Sequence, residues 1–461
     1  MENNNTGALK KGMSPAAVWA LAVGSIIGFG CFILPPDFLQ KAGPLGFVLG
    51  IVIGAAAMLI VGKNISYMVQ RYPVAGGQFT YARQLFGTTN GFICGWMLVL
   101  GYISLIALNA TALPVLAQYI APTLFKRGYL YSVAGWDVFA PEIALALFFI
   151  VLFGFFNLVG GKLSGNLQVG MVFLMIGAVL LVLFGIITSP VSSFENLQPA
   201  FADGKSVFGC VFAILAMVPW LFVGFDTVPQ SAEEFSFSTK KTFGLIFGAI
   251  ISGALFYMVI TLCTAMVWPW QEMVEAKYTW ATGTALDTAI GPVGVAFLAI
   301  AICMGIFTGM NGFYVAGSRL MMAMSREKML PAWFGKVDAK KQIPRNAVLA
   351  AMVVALIAPW FGRQVINWIV DMCSCGTIIG YLYTCLAALK LVLKDRKEGK
   401  GTLLDLVVAV LGVALSVGIL LLLLVPASPG AMGKESLIAL VTWCVLGVVF
   451  YFTVIRRGAK K

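Results

Sequence analysis

The sequence predicts an all-α integral membrane protein of twelve transmembrane helices. Ten form a five-plus-five inverted repeat with broken helices 1 and 6, and two peripheral helices follow. Three observations predict this. First, the 461 residues are 60% hydrophobic and 11% charged, with a mean hydropathy of +0.94; soluble domains carry about 25% charged residues. Second, apolar segments of the ~20 residues that cross hydrocarbon recur along the whole chain, joined by short loops. Third, two of these segments are interrupted, the first at Gly24-Ser25-Ile26-Ile27-Gly28-Phe29-Gly30 and the sixth at Pro219-Trp220-Leu221-Phe222-Val223-Gly224-Phe225-Asp226.

The spans are read near Pro15–Leu39, Leu45–Val69, Gly91–Ile120, Pro141–Gly160, Leu167–Thr188, Val207–Phe235, Phe243–Trp268, Pro292–Met324, Asn346–Phe361, Val365–Leu393, Leu403–Val425 and Leu437–Ile455. Residues 1–14 are a cytoplasmic tail. Residues 15–393 are expected to form the ten-helix inverted-repeat core, with repeats at 15–188 and 207–393. Residues 403–455 hold helices eleven and twelve, poor in polar residues, and 456–461 form a second cytoplasmic tail. Lys10 and Lys11 precede an apolar run too long for a cleavable signal and lacking a cleavage site, so the first helix is expected to stay. The Arg71–Tyr81 loop, rich in Gly and Pro, is expected to turn or lie at the cytoplasmic surface.

Orientation follows from Lys and Arg. Of the 31 basic residues, 24 fall on the side of the N-terminus and 7 on the other, so both termini are expected in the cytoplasm of a cell-membrane protein. The net charge of +12 is therefore a topology signal spread over many loops, and nucleic acid is not expected as a partner. Most of the nine cysteines lie inside spans and read as small buried residues, and there is no histidine. No metal site, cofactor or disulfide framework is expected.

The interruptions carry the functional reading. Each glycine inside a helix is about 1 kcal/mol less favourable than alanine. Unwound backbone is tolerated at membrane depth only where protein or a water-filled cavity receives its polar groups. Interrupted segments in corresponding positions of two halves point to a transporter substrate site.

Four motifs in order carry a resemblance. They are Gly24 to Phe32, Tyr72-Pro73-Val74-Ala75-Gly76-Gly77, Phe222-Val223-Gly224-Phe225-Asp226 with Ala232-Glu233-Glu234, and Ser318-Arg319 with Leu330-Pro331. The chain resembles the amino acid–polyamine–organocation superfamily of permeases from the first helix to at least the tenth. Gly380-Tyr381-Leu382-Tyr383-Thr384-Cys385 further resembles its bacterial basic amino acid/amine antiporter branch.

Freed N–H groups at the start of a half-helix suit a carboxylate. In helix one the donors are the amides of Gly28, Phe29 and Gly30. Freed carbonyls suit an ammonium: Ser25 and Ile26 in helix one, and Trp220 to Val223, including Phe222, in helix six. Asp226 is the one carboxylate read deep in an apolar span, a functional candidate by default. The resemblance implies a gate or proton role for it, with Tyr381 of helix ten as partner. It also implies pocket aromatics at Trp220 and Phe313; Tyr102 is a weaker candidate. Glu233 and Glu234 are expected to pair with Lys240 or Lys241, and Asp371 to be a solvated helix-start charge. The family's helix-five lysine is absent, with Met175 near its place, which leaves H+ coupling, counter-substrate exchange and uniport open.

The expected function is a permease or antiporter moving an amino acid, a small-molecule substrate, across the lipid of the cytoplasmic membrane by alternating access. Polyamine or small-amine transport is the alternative. A channel would need a continuous polar pore, and polar residues cluster at the two breaks instead. A membrane enzyme would need paired carboxylates or a nucleophile–base pair at depth, and the sequence offers neither.

Overall fold

The computed structural model describes residues 9–133, 136–338, 340–362 and 364–455. The two tails thus lie mostly outside the described residues. Among those described, nine helices are long and apolar enough to cross a membrane, and three shorter apolar helices are Pro15–Ile26, Val207–Leu221 and Arg345–Phe361. The first two are short because they stop at the interruptions read in the sequence.

Helix one runs Pro15–Ile26, with Ser14 Oγ capping Ala17 N and a proline in the first turn. It resumes at Gly30–Ile33. The Pro35–Arg71 helix contains a kink at Gly43 (φ 69°, ψ 171°) followed by Pro44, which separates the end of helix one from helix two. Helix three is Thr88–Ala110, helix four Ala140–Val159 and helix five Gly161–Thr188. Helix six is Val207–Leu221, with short turns at Thr227–Gln230 and Ala232–Glu234 beyond its break. Helices seven, eight and ten are Thr242–Ala265, Pro292–Arg326 and Gln364–Lys397. Leu403–Leu424 and Lys434–Phe450 are helices eleven and twelve.

Small residues decide how close the core helices lie. In helix two, Gly46, Gly50 and Gly54 recur every four residues and face Cys210, Ile214 and Val218 of helix six. A Cβ on Gly50 would lie 2.6 Å from Ile214 Cβ. Without water to drive apolar association, such close backbone approach supplies the contact. The last two helices bury least among the long spans, 28% and 17% of their apolar windows against 83% for helix three. Helix twelve attaches through Trp443, stacked on Trp96 of helix three at 4.6 Å.

Two local features depart from the sequence reading. The segment between helices three and four carries a two-stranded antiparallel ribbon, Tyr129–Val133 with Trp136–Phe139, in a chain read as all-α. The loop after helix two does turn, through Gly76 (φ 94°). It then becomes a helix, Gly77–Phe86, whose residues from Gly77 to Ala82 are buried. The run Gly77-Gln78-Phe79-Thr80-Tyr81 has the polarity of a surface loop but packs inward.

Candidate functional site

The break in helix one exposes fewer donors than its glycines suggest. Gly28 N donates to Ile26 O at 3.2 Å, a local turn. Phe29 N donates to Asn109 Oδ1 of helix three at 3.3 Å. Of the three amides expected for a carboxylate, Gly28 is therefore satisfied within its own turn, and Phe29 is held by a side chain the sequence reading did not single out. The Ile26 carbonyl also lies 3.5 Å from Tyr257 OH. Ser25 is buried, and its Oγ has no hydrogen-bond partner among the described residues.

Helix six breaks over Phe222–Asp226. The Trp220 carbonyl accepts from Val223 N at 3.3 Å, so it is not the free acceptor that was expected. Gly224 has φ 137°, a conformation that side chains rarely adopt. A Cβ there would lie 2.5 Å from the Ser25 carbonyl carbon and collide with the Ile26 amide. The two breaks therefore touch, backbone against backbone, and glycine is the residue that permits it.

Asp226 is fully buried and doubly bonded. Gly224 N donates to its Oδ1 at 2.8 Å and Tyr102 OH donates to its Oδ2 at 2.7 Å. Gln230 Nε2 donates to Tyr102 OH at 3.3 Å and to Gln78 Oε1 at 2.7 Å. This corrects the expected Asp226–Tyr381 pairing. The tyrosine that holds the carboxylate is Tyr102, on helix three. The Tyr381 hydroxyl is buried with no hydrogen-bond partner among the described residues, while its ring packs on Phe225 at 5.2 Å. Gln78 reaches the cluster because the loop after helix two folds inward.

The expected aromatics pack in two pairs. Phe29 and Trp220 have ring centroids 5.9 Å apart, and a Cβ on Gly30 would strike the Trp220 ring. Phe313 stacks beside Tyr102 at 6.3 Å. All five of Phe29, Trp220, Phe222, Val223 and Phe313 are buried.

A cavity of about 560 Å³ is lined by Ser14, Leu21, Gln168, Asn311, Arg319 and Lys341 among others. Its inner wall is a polar chain that the sequence reading missed. Asn311 Nδ2 donates to Gln168 Oε1 at 2.8 Å, and Asn311 Oδ1 accepts from Ser164 Oγ at 2.7 Å and Asn157 Nδ2 at 2.9 Å. Gln168 Nε2 then donates to the carbonyls of Ala20 and Thr308, each at 3.2 Å, joining helices one, five and eight. Met175 is buried two turns further along helix five.

The outer rim is strapped by ion pairs. Arg319 Nε meets Glu234 Oε1 at 2.8 Å, with both side chains buried. Arg326 Nη1 meets Glu233 Oε2 at 2.8 Å. Glu233 also accepts from Leu9 N at 2.8 Å, and the Glu234 carbonyl accepts from Gly12 N and Met13 N. These acids pair with the arginines of helix eight and not with Lys240 or Lys241, as the sequence suggested. Position along the chain favoured the lysines; packing of the end of helix six on helix eight brings the arginines. Asp371 likewise is not merely solvated, for it accepts from Ser436 Oγ of helix twelve at 2.7 Å.

A profile of the family described as "Amino acid permease" matches residues 14–450. The branched-chain amino acid permease BcaP of Lactococcus lactis subsp. cremoris (strain MG1363) is 26% identical, over 83% of this chain and 81% of its own. BcaP of Bacillus subtilis (strain 168) is 24% identical, over 98% and 95%. The arginine/ornithine antiporter ArcD1 of the same Lactococcus strain is 25% identical, over 84% and 76%. With broken helices meeting at a buried carboxylate and a match over nearly its whole length, the chain belongs to the amino acid permease family of the amino acid–polyamine–organocation superfamily.

Proposed function

We propose that this protein carries an α-amino acid with an apolar or moderately polar side chain across the cell membrane by alternating access. The observation that carries the reading is the contact between the two breaks: Gly224 of helix six lies against the Ser25–Ile26 peptide of helix one. The backbone amides and carbonyls of both breaks are then close enough for one zwitterion to reach both, in exchange for the local bonds that they make here. The remaining lining, Phe29, Trp220, Phe222, Val223 and Phe313, is apolar or aromatic.

The substrates named for the relatives include both branched-chain and cationic amino acids. The apolar reading is favoured because Asp226 spends both oxygens inside the protein, on Gly224 N and Tyr102 OH. A distal ammonium would have to reach the remaining lone pairs of a fully buried carboxylate whose oxygens already accept from the protein. Asp226 and Tyr381 serve as gate or proton-handling groups in this reading, and Ser25 Oγ and Tyr381 OH are buried hydroxyls available to a ligand.

The proposed architecture is twelve spans with both termini cytoplasmic and the first ten helices in inverted repeat. The three shorter apolar helices, added to the nine long ones, support that count. Lys10, Lys11, Arg319 and Lys341 line one cavity at one end of the bundle, which supports a common cytoplasmic side. Coupling to H+ or to a counter-substrate fits the same site. Counterflow of labelled leucine in proteoliposomes, with 3-methylbutylamine as competitor, tests the reading. Leucine should exchange and the amine should compete at least ~10-fold less well, the worth of one charge-assisted hydrogen bond. Equal competition by the amine would mean that the carboxylate end is unused.

A further inference from the structure

Asn109 sits at the helix-one break in a way that the packing of helix three alone does not require. It is buried, on the last turn of helix three. Its Nδ2 donates to Leu105 O at 2.9 Å, which fixes the amide and leaves Oδ1 pointing at Phe29 N, 3.3 Å away. Two glycines make room for it. A Cβ on Gly28 would lie 2.8 Å from Oδ1, and a Cβ on Gly309 of helix eight would lie 3.1 Å from Nδ2. Three helices thus converge on one carboxamide. Its oxygen does what a carboxylate oxygen does at a helix break, accepting from a backbone N–H with no partner of its own.

We propose that Asn109 is a specificity-determining residue for the carboxylate end of the site. In the structure its Oδ1 holds the acceptor position on the Phe29 amide, and a substrate carboxylate oxygen takes that position on binding. The idea rests on the reading that an α-amino acid binds at this break. It adds that the break is occupied before substrate arrives, so selectivity for acid over amine depends on how readily residue 109 yields. A neutral carboxamide gives way to a carboxylate because the charged acceptor makes the stronger bond. A resident carboxylate would not give way, and it would repel the incoming one.

The chemistry predicts opposite shifts in two variants. Asn109→Asp keeps shape and acceptor but adds charge, so the ratio of leucine affinity to 3-methylbutylamine affinity should fall at least ~10-fold. Asn109→Ala removes the resident oxygen that only the carboxylate must displace, so leucine should bind more tightly relative to the amine and the ratio should rise. Dissociation constants for both ligands would be measured on purified wild type and both variants at pH 8, with monodispersity and melting checked first. If only one variant folds, its ratio alone decides. A purely structural Asn109 would weaken both ligands together and leave the ratio unchanged in either variant, which overturns the proposal. A wild type that already binds the amine as tightly as leucine would overturn the functional reading itself. The wild-type ratio and the variant ratios therefore report the two failures separately.

Discussion

Tyr102→Phe separates the partner seen in the structure from the one that resemblance implied. The substitution removes one hydroxyl, which donates to Asp226 Oδ2 at 2.7 Å and accepts from Gln230 Nε2 at 3.3 Å. The ring and its 6.3 Å stack on Phe313 remain. A hydrogen bond to a charged group contributes about 1.5–3 kcal/mol, or roughly 10- to 150-fold in an equilibrium. Asp226 would be left with Gly224 N as its remaining donor of the two described above. Tyr381→Phe removes a hydroxyl with no partner among the described residues, so it should couple to Asp226 by less than ~0.5 kcal/mol, the level at which independent sites add. The assay is a pair of double-mutant cycles, Asp226→Asn with each tyrosine variant, followed by equilibrium unfolding in mixed detergent micelles. Strong coupling to Tyr102 and none to Tyr381 is expected. The reverse pattern would refute the network and restore the helix-ten partner.

Further consequences follow from the same geometry. Gly224→Ala should slow counterflow at least ~10-fold, because a left-handed φ and a collision with the Ile26 amide each act by about 1–3 kcal/mol; normal exchange would show that the two breaks need not touch. Glu234→Gln should lower stability by about 3–5 kcal/mol through an unpaired buried Arg319, and unfolding within ~0.5 kcal/mol of wild type would remove that pair from the structural core. Lys241→Cys on a cysteine-free background should resist an impermeant thiol reagent in intact cells and react in inverted vesicles. Labelling in intact cells would reverse the proposed orientation.

Much of this fold could be read from the chain because it follows from local chemistry. Hydrophobic length marks the spans, glycine density marks the breaks, and a carboxylate inside an apolar run marks Asp226. These signals are carried by consecutive residues. The partners of those features were not readable for the same reason. Asn109 is a single polar residue in Ile106-Ala107-Leu108-Asn109-Ala110, and nothing within that run points to Phe29, which lies 80 residues away. Gln168 bonds the Ala20 carbonyl from 148 residues away, so no spacing rule could pair them. Gln78 lies in a segment whose composition is that of a surface turn, and its burial comes from tertiary packing that overrides composition. Resemblance misassigned the Asp226 partner because it supplied a tyrosine on helix ten, whereas this chain also presents Tyr102 on helix three within bonding distance.

These misses share a physical cause. Unwound backbone in a membrane must have its polar groups satisfied by the protein or by the ligand. The breaks can be predicted from one stretch of sequence, but what satisfies them is drawn from whichever helices pack alongside. In this protein, helix three supplies that satisfaction twice. Asn109 holds the Phe29 amide at the break in helix one, and Tyr102 holds Asp226 at the break in helix six, two turns away on the same helix. Substitutions on helix three should therefore affect both halves of the site at once. Asn109→Ala and Tyr102→Phe, combined, test this: their effects on leucine binding should be non-additive by more than ~0.5 kcal/mol if one rigid helix serves both breaks. Simple additivity would mean that the two breaks are held independently.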